Sequence, residues 1–198
     1  MRAAGRPLDL ARAGIVVFGV VVAALHLLDR RDPRLHLVSE YALERPLVLG
    51  AGLTALSVGG GALAVGVWRA LPTPAGRAAA IAFGLLTFSA ALLAAYPTDH
   101  EGTVPATTPG GRIHDLAAGL TLLSLLLGHL LAWSASGPGA ARRVIALVAL
   151  VILAAVVPPL LAPTWIGIHQ RALTGTLVAG LLVLATNLRA SATQEEAR

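Results

Sequence analysis

The chain has 198 residues, 56% of them hydrophobic, and a mean hydropathy of +0.77. That profile is far from a soluble domain's and leaves no long polar segment for a soluble module, so the expectation is an all-α polytopic membrane protein, one domain over residues 1–198. All 15 basic residues are Arg and cluster near the ends of apolar stretches, where they snorkel to headgroups, which argues against a nucleic-acid partner; zero Cys excludes disulfides, thiolate metal sites and cysteine nucleophiles.

Since a bilayer core about 30 Å thick takes roughly 20 apolar residues per helix, six spans are predicted, at 13–29, 46–70, 78–96, 113–134, 143–162 and 172–189. The first follows Arg2, Arg6 and Arg12, but Asp29-Arg30-Arg31-Asp32 stands where a signal peptide would carry small residues, so it reads as a retained anchor. Within it His26 lies one turn before Asp29 and can pair with it. The second span holds Gly50, Gly52, Gly59, Gly60, Gly61 and Gly66, as a central helix closely approached by its neighbours would. His129 in the fourth span is expected to make an interhelical hydrogen bond. Pro158-Pro159 should bend or end the fifth span, either shaping a cavity beside Trp165 and His169 or making an ordinary helix exit. Three spans begin with small residues and Arg (Ala11-Arg12-Ala13, Gly76-Arg77-Ala78, Ala141-Arg142-Arg143), a pattern that a triplicated hairpin or charge bias alone would produce.

Six spans place both termini on one side. The termini and even loops hold nine Arg (Arg2, Arg6, Arg12, Arg69, Arg77, Arg142, Arg143, Arg189, Arg198) against six in the odd loops, which favours cytoplasmic termini. With an Ala- and Leu-rich, Lys-free composition pointing to a GC-rich genome, the expected setting is a bacterial inner membrane. The odd loops then share one face, and they hold nearly every residue able to do chemistry.

The first odd loop carries Ser39, Glu40 and Tyr41 in an alternating stretch expected to lie at the bilayer surface; Ser39 is a candidate nucleophile or a helix cap. In the second, Asp99 leaves one helix and His114 enters the next, so folding the loop back can pair a carboxylate with an imidazole, as general bases and metal second shells require. Asp115 there complements the positive end of a helix. The third carries Trp165, His169, Gln170 and Arg171. His114, His169 and Asp99 together have the composition of an open three-ligand site for a divalent metal such as zinc, with His26 or His36 as possible extra ligands, although no tight ligand motif is present.

The strings Val38-Ser39-Glu40-Tyr41-Ala42, Tyr96-Pro97-Thr98-Asp99, Gly111-Arg112-Ile113-His114 and Gly167-Ile168-His169-Gln170-Arg171, in this order among six apolar spans, resemble the bacterial family of domain of unknown function 998 over nearly the whole chain. The resemblance implies a six-helix membrane protein with signature positions Ser39, Glu40, Tyr41, Asp99, His114, Gln170 and Arg171. The chain departs from that pattern with Tyr96 before the Pro-Thr-Asp string and with His169, which weakens His169 as a ligand. It also looks distantly like the lipid-linked DRAM and Sfk proteins. Its Ser, Asp and His set is similar to that of the CREST membrane hydrolases, which have seven helices and a paired-His motif missing here.

The functional expectation is an enzyme acting on a lipid or other apolar substrate by acid/base or metal-assisted chemistry. Asp99, His114, Ser39 and Glu40 would be catalytic; Arg171, Gln170, Tyr41 and Trp165 would bind substrate, Arg171 by its fixed fork of donors. The alternative is a non-catalytic lipid-binding, transport or accessory protein, with the bilayer as its main partner. Transport ranks lower because the even loops offer no matching polar set.

Overall fold

The computed structural model describes residues 5–28, 32, 34–99, 106, 108–137, 139, 146, 150–151 and 164–196. They form a helical bundle without strands among the described residues: α1 Gly5–Leu28, a 3-10 turn Val38–Glu40, α2 Tyr41–Glu44, α3 Pro46–Ala70, α4 Pro74–Ala95, α5 Pro109–Ala135 and α6 Ile166–Glu196. Five of these helices are long and apolar enough to cross a membrane, so the all-α, multi-pass architecture stands. Apart from residues 146, 150 and 151, the predicted span at 143–162, with its Pro158-Pro159 bend, lies outside the described residues, as do Asp29 and Ala141-Arg142-Arg143.

Helix α3 packs between α1 and α4. Half of its apolar window is buried, against 28% for α1 and α6, which makes it the central helix among those described. Glycine is the reason: a Cβ on Gly14 would fall 2.8 Å from the Gly59 Cα, and one on Gly66 would strike the Leu8 side chain. With lipid outside, close backbone approach and dispersion replace the hydrophobic drive that holds soluble helices together. Ser57 Oγ donates to the Thr87 carbonyl across α3 and α4 at 2.8 Å, and Thr121 Oγ1 donates to Ser89 Oγ across α4 and α5 at 2.8 Å.

Two helices start four residues earlier than hydropathy predicts, for the same local reason. Thr73-Pro74-Ala75-Gly76 and Thr108-Pro109-Gly110-Gly111 each place Thr at the N-cap and Pro at the first helical position. The Thr oxygen accepts from the glycine N–H at 3.0 and 3.1 Å. In both, glycine permits a close approach, of the Leu71 carbonyl to Gly76 and of the Asp99 carboxylate to Gly111.

His129 joins α5 to α6 at a glycine. Its Nδ1 donates to the Leu125 carbonyl of its own helix at 2.6 Å, its ring meets Phe83 edge-on, and its Nε2 abuts Gly180 of α6. The ring bonds within its own helix and sits against α6 at Gly180, where a Cβ would stand only 2.7 Å from Nε2.

Candidate functional site

The end of the bundle opposite the termini gathers the described residues of all three odd loops. In the first loop Glu40 and Tyr41 are 1% and 2% exposed, so the 3-10 turn and α2 fold inward over the bundle end. Glu40, not Ser39, supplies the cap. Its Oε1 accepts from the Leu37 N–H at 3.1 Å, and its Oε2 pairs with His36 Nδ1 at 2.6 Å.

The start of α6 locks this loop in place. Gly167 N–H donates to the Arg34 carbonyl at 3.0 Å, Val38 N–H donates to Gln170 Oε1 at 2.6 Å, and the Arg34 guanidinium lies over the Trp165 ring. Arg171 extends the lock to α1. Its Nε donates to His26 Nε2 at 2.9 Å, its Nη2 to the Tyr41 hydroxyl at 2.9 Å, and its Nη1 to the His36 carbonyl. Since Arg can only donate, His26 Nε2 is the acceptor; the neutral ring then carries its proton on Nδ1 and donates to Tyr41 Oη at 2.7 Å. A planar fork with three separate acceptors is a geometry that Lys does not reproduce. At the loop's exposed edge, the Arg34 guanidinium donates to Asp32 and lowers its carboxyl pKa to about 2.

Beneath this latch is a half-open chamber of about 90 Å³. One water needs roughly 10–15 Å³ on that measure, so the chamber is several times larger than a packing defect. Its walls are apolar, from Phe18 of α1, Leu53 of α3, Leu93 of α4, Leu122 of α5 and Val178 of α6. Polar groups enter from Ser39, His114, Thr121, Gln170 and Thr174. His114 is 4% exposed, and its Nδ1 donates to the Tyr96 carbonyl at 2.8 Å, so the neutral ring carries its acceptor on Nε2. Along α5 the lining runs from His114 to Leu125, about 16 Å at 1.5 Å per residue. Among the described residues no lining residue lies beyond Leu56, Leu125 or Val178, toward the end of the bundle that holds the termini.

The candidate residues therefore divide. Ser39, His114 and Gln170, one from each odd loop, line the chamber. Glu40, Tyr41, Arg171 and Trp165 build the latch above it. Asp99 lies against the start of α5, where its Oδ2 accepts from the Thr108 N–H at 2.8 Å. A carboxylate there also complements the helix dipole, the role that the sequence reading gave to Asp115. His26 joins the latch; its predicted partner Asp29 lies outside the described residues. Among the described residues no three His, Cys, Asp or Glu form a group that could hold a metal ion. Missed in the sequence were Thr121 and Thr174, although Thr174 follows Gln170 at a one-turn spacing that puts both on one helix face.

No curated protein and no solved structure matches the chain, which leaves the distant likeness to DRAM and Sfk proteins without support. One family model does match, over residues 12–187, from within the first helix into the last, and the chain belongs to that family, described as Protein of unknown function (DUF998).

Proposed function

We propose that this membrane protein binds an apolar molecule in the chamber beneath the latched loops. The observation that carries this reading is the chamber's composition: apolar walls with a few convergent polar groups at one end, the usual make-up of a small-molecule site. Among the described residues the lining stays toward the loop end, which favours holding a ligand over conducting one. The test is to purify the protein in mild detergent, extract it with organic solvent and quantify the extracted lipids by mass spectrometry, beside a folded Leu122→Trp variant whose indole fills the chamber. An apolar species near one per chain, enriched over bulk lipid and lost in the variant, is the expected result. Equal recovery from both proteins would sink the reading.

A second reading has one observation in its favour. Ser39 and His114 line the same chamber, which places a hydroxyl and a base beside whatever it holds. Conversion of the bound molecule, lost in Ser39→Ala and His114→Gln while binding persists, is what this enzyme reading requires. No turnover by the wild type of the molecule that co-purifies would leave binding alone.

A further inference from the structure

Helix α6 gives the chamber Gln170, Thr174 and Val178, spaced four apart and so on one face of the helix, each about 6 Å deeper than the last at 1.5 Å per residue. The stripe starts polar at the loop end and finishes apolar. Its first member has a fixed direction. The Val38 N–H can only donate, so the amide atom it meets at 2.6 Å is Oε1, and Nε2 is the free side of the amide. Val38 and Ser39 both line the chamber, so this bond also holds Gln170 beside the Ser39 hydroxyl.

Hydroxyls elsewhere in the bundle are paired. Ser57 donates to the Thr87 carbonyl, Thr121 to Ser89, and Thr176 to the Ala172 carbonyl one turn back in its own helix at 2.7 Å. Thr174, two residues before Thr176, makes no such bond to the Gln170 carbonyl. Among the described residues, the Ser39 and Thr174 hydroxyls and the Gln170 NH₂ have no hydrogen-bond partner. Polar hydrogens beside apolar walls are costly until they are bonded. What these three groups have in common is a proton to give: the NH₂ only donates, and each hydroxyl has one O–H. A carbonyl oxygen, with two lone pairs, can accept from the amide and from a hydroxyl together.

We infer that the loop end of the chamber reads a carbonyl oxygen on an amphiphile, an ester, amide or ketone bonded by Gln170 Nε2 with the Ser39 and Thr174 hydroxyls, its alkyl part lying between Leu53 and Leu122. This rests on the binding reading above and adds the class of ligand.

The test uses two photoprobes with the same eight-carbon, diazirine-bearing tail, one a methyl ketone and the other with a methylene in place of the carbonyl. Each is equilibrated at pH 8 with the full chain in nanodiscs of ether-linked phosphatidylcholine, whose chains bring no competing ester carbonyl, then irradiated and mapped by peptide mass spectrometry. Leu116, an exposed residue of α5 outside the chamber lining, reports background labelling from lipid.

Normalised to Leu116, the ketone should label the wall around Leu53 and Leu122 about three- to tenfold more than the hydrocarbon, the worth of one or two neutral hydrogen bonds. Gln170→Glu keeps an oxygen for the Val38 N–H and replaces the donor with a second acceptor, so the ratio should fall to about one. Thr174→Val, which trades the hydroxyl for a methyl, should lower it more modestly. A ratio near one in the wild type, with the wall labelled by both probes, overturns the carbonyl reading and leaves chamber binding intact. A wild-type ratio that survives unchanged in folded Gln170→Glu and Thr174→Val overturns the assignment to these donors. No wall labelling by either probe in folded protein, with Leu116 still labelled, overturns this inference and the binding reading together.

Discussion

At each end of the bundle an arginine of α6 reaches α1, and the two contacts are built differently. Near the termini Arg189 meets Asp9 at 3.2 Å, with the two side chains 30% and 51% exposed, and Asp9 also faces Arg12 at 3.8 Å. At the loop end Arg171 meets His26, the buried Tyr41 and a backbone carbonyl at once. The first is an ion pair that water and salt screen; the second is a set of directed bonds whose acceptors lose their partner if the arginine goes. The same residue type joining the same two helices is therefore decorative at one end and structural at the other. The structural one sits above the chamber.

The sharpest way to break this contrast is Arg171→Met, which keeps the apolar stem and deletes all three donors. It should cost on the order of 3 kcal/mol, since hydrogen bonds from a charged group contribute about 1.5–3 kcal/mol each and are not additive. Chemical denaturation of the detergent-purified protein reads the loss. Arg171→Lys should recover less than half of it, because one ammonium cannot serve three divergent acceptors.

The caps give an internal standard, because the two ends share the same Thr-Pro-X-Gly start. Thr73→Ala and Thr108→Ala should each cost about 1 kcal/mol in the same denaturation assay. A much larger cost for Thr108 would mean that Asp99, bonded to the Thr108 amide, depends on the cap as well. Arg189→Ala should cost less than about 1 kcal/mol and lose even that in high salt.

The smallest effect concerns Asp32. A carboxyl whose folded-state pKa lies below its ordinary value stabilises the fold above that ordinary value and loses this contribution as pH falls through the lowered one. With Asp32 held down to about 2 by Arg34, lowering the pH from 7 to 4 should leave the Asp32–Arg34 pair intact. NMR titration of the Asp32 carboxyl carbon, showing a midpoint near 2 and not near 4, checks it.

The architecture was legible because hydropathy integrates over whole turns: α3 occupies the interval predicted for it, and the parity of the loops brought Ser39, His114 and Gln170 to one end. Helix starts were less visible. Hydropathy does not register capping, so α4 and α5 begin at Pro74 and Pro109, ahead of the apolar residues, and α6 runs beyond its apolar span at both ends. At the site, the sequence listed the polar residues without showing which way each faces. Glu40 and Arg171 look like site groups in a string of letters, and one residue's rotation around the backbone turns them into the latch while their neutral neighbours face the chamber. The apolar walls were invisible for the opposite reason: Phe18, Leu53 and Leu122 are indistinguishable from lipid-facing residues until the helices are packed.

The central claim is that the space between Leu53, His114 and Leu122 holds a molecule, and a crystal structure grown in a lipidic mesophase tests it most directly. The account predicts elongated density that begins at Ser39 and Gln170 and runs toward Leu125, beneath an ordered Arg171–His26–Tyr41 latch. Side chains from α3 and α5 meeting across that space with no room between them would contradict it.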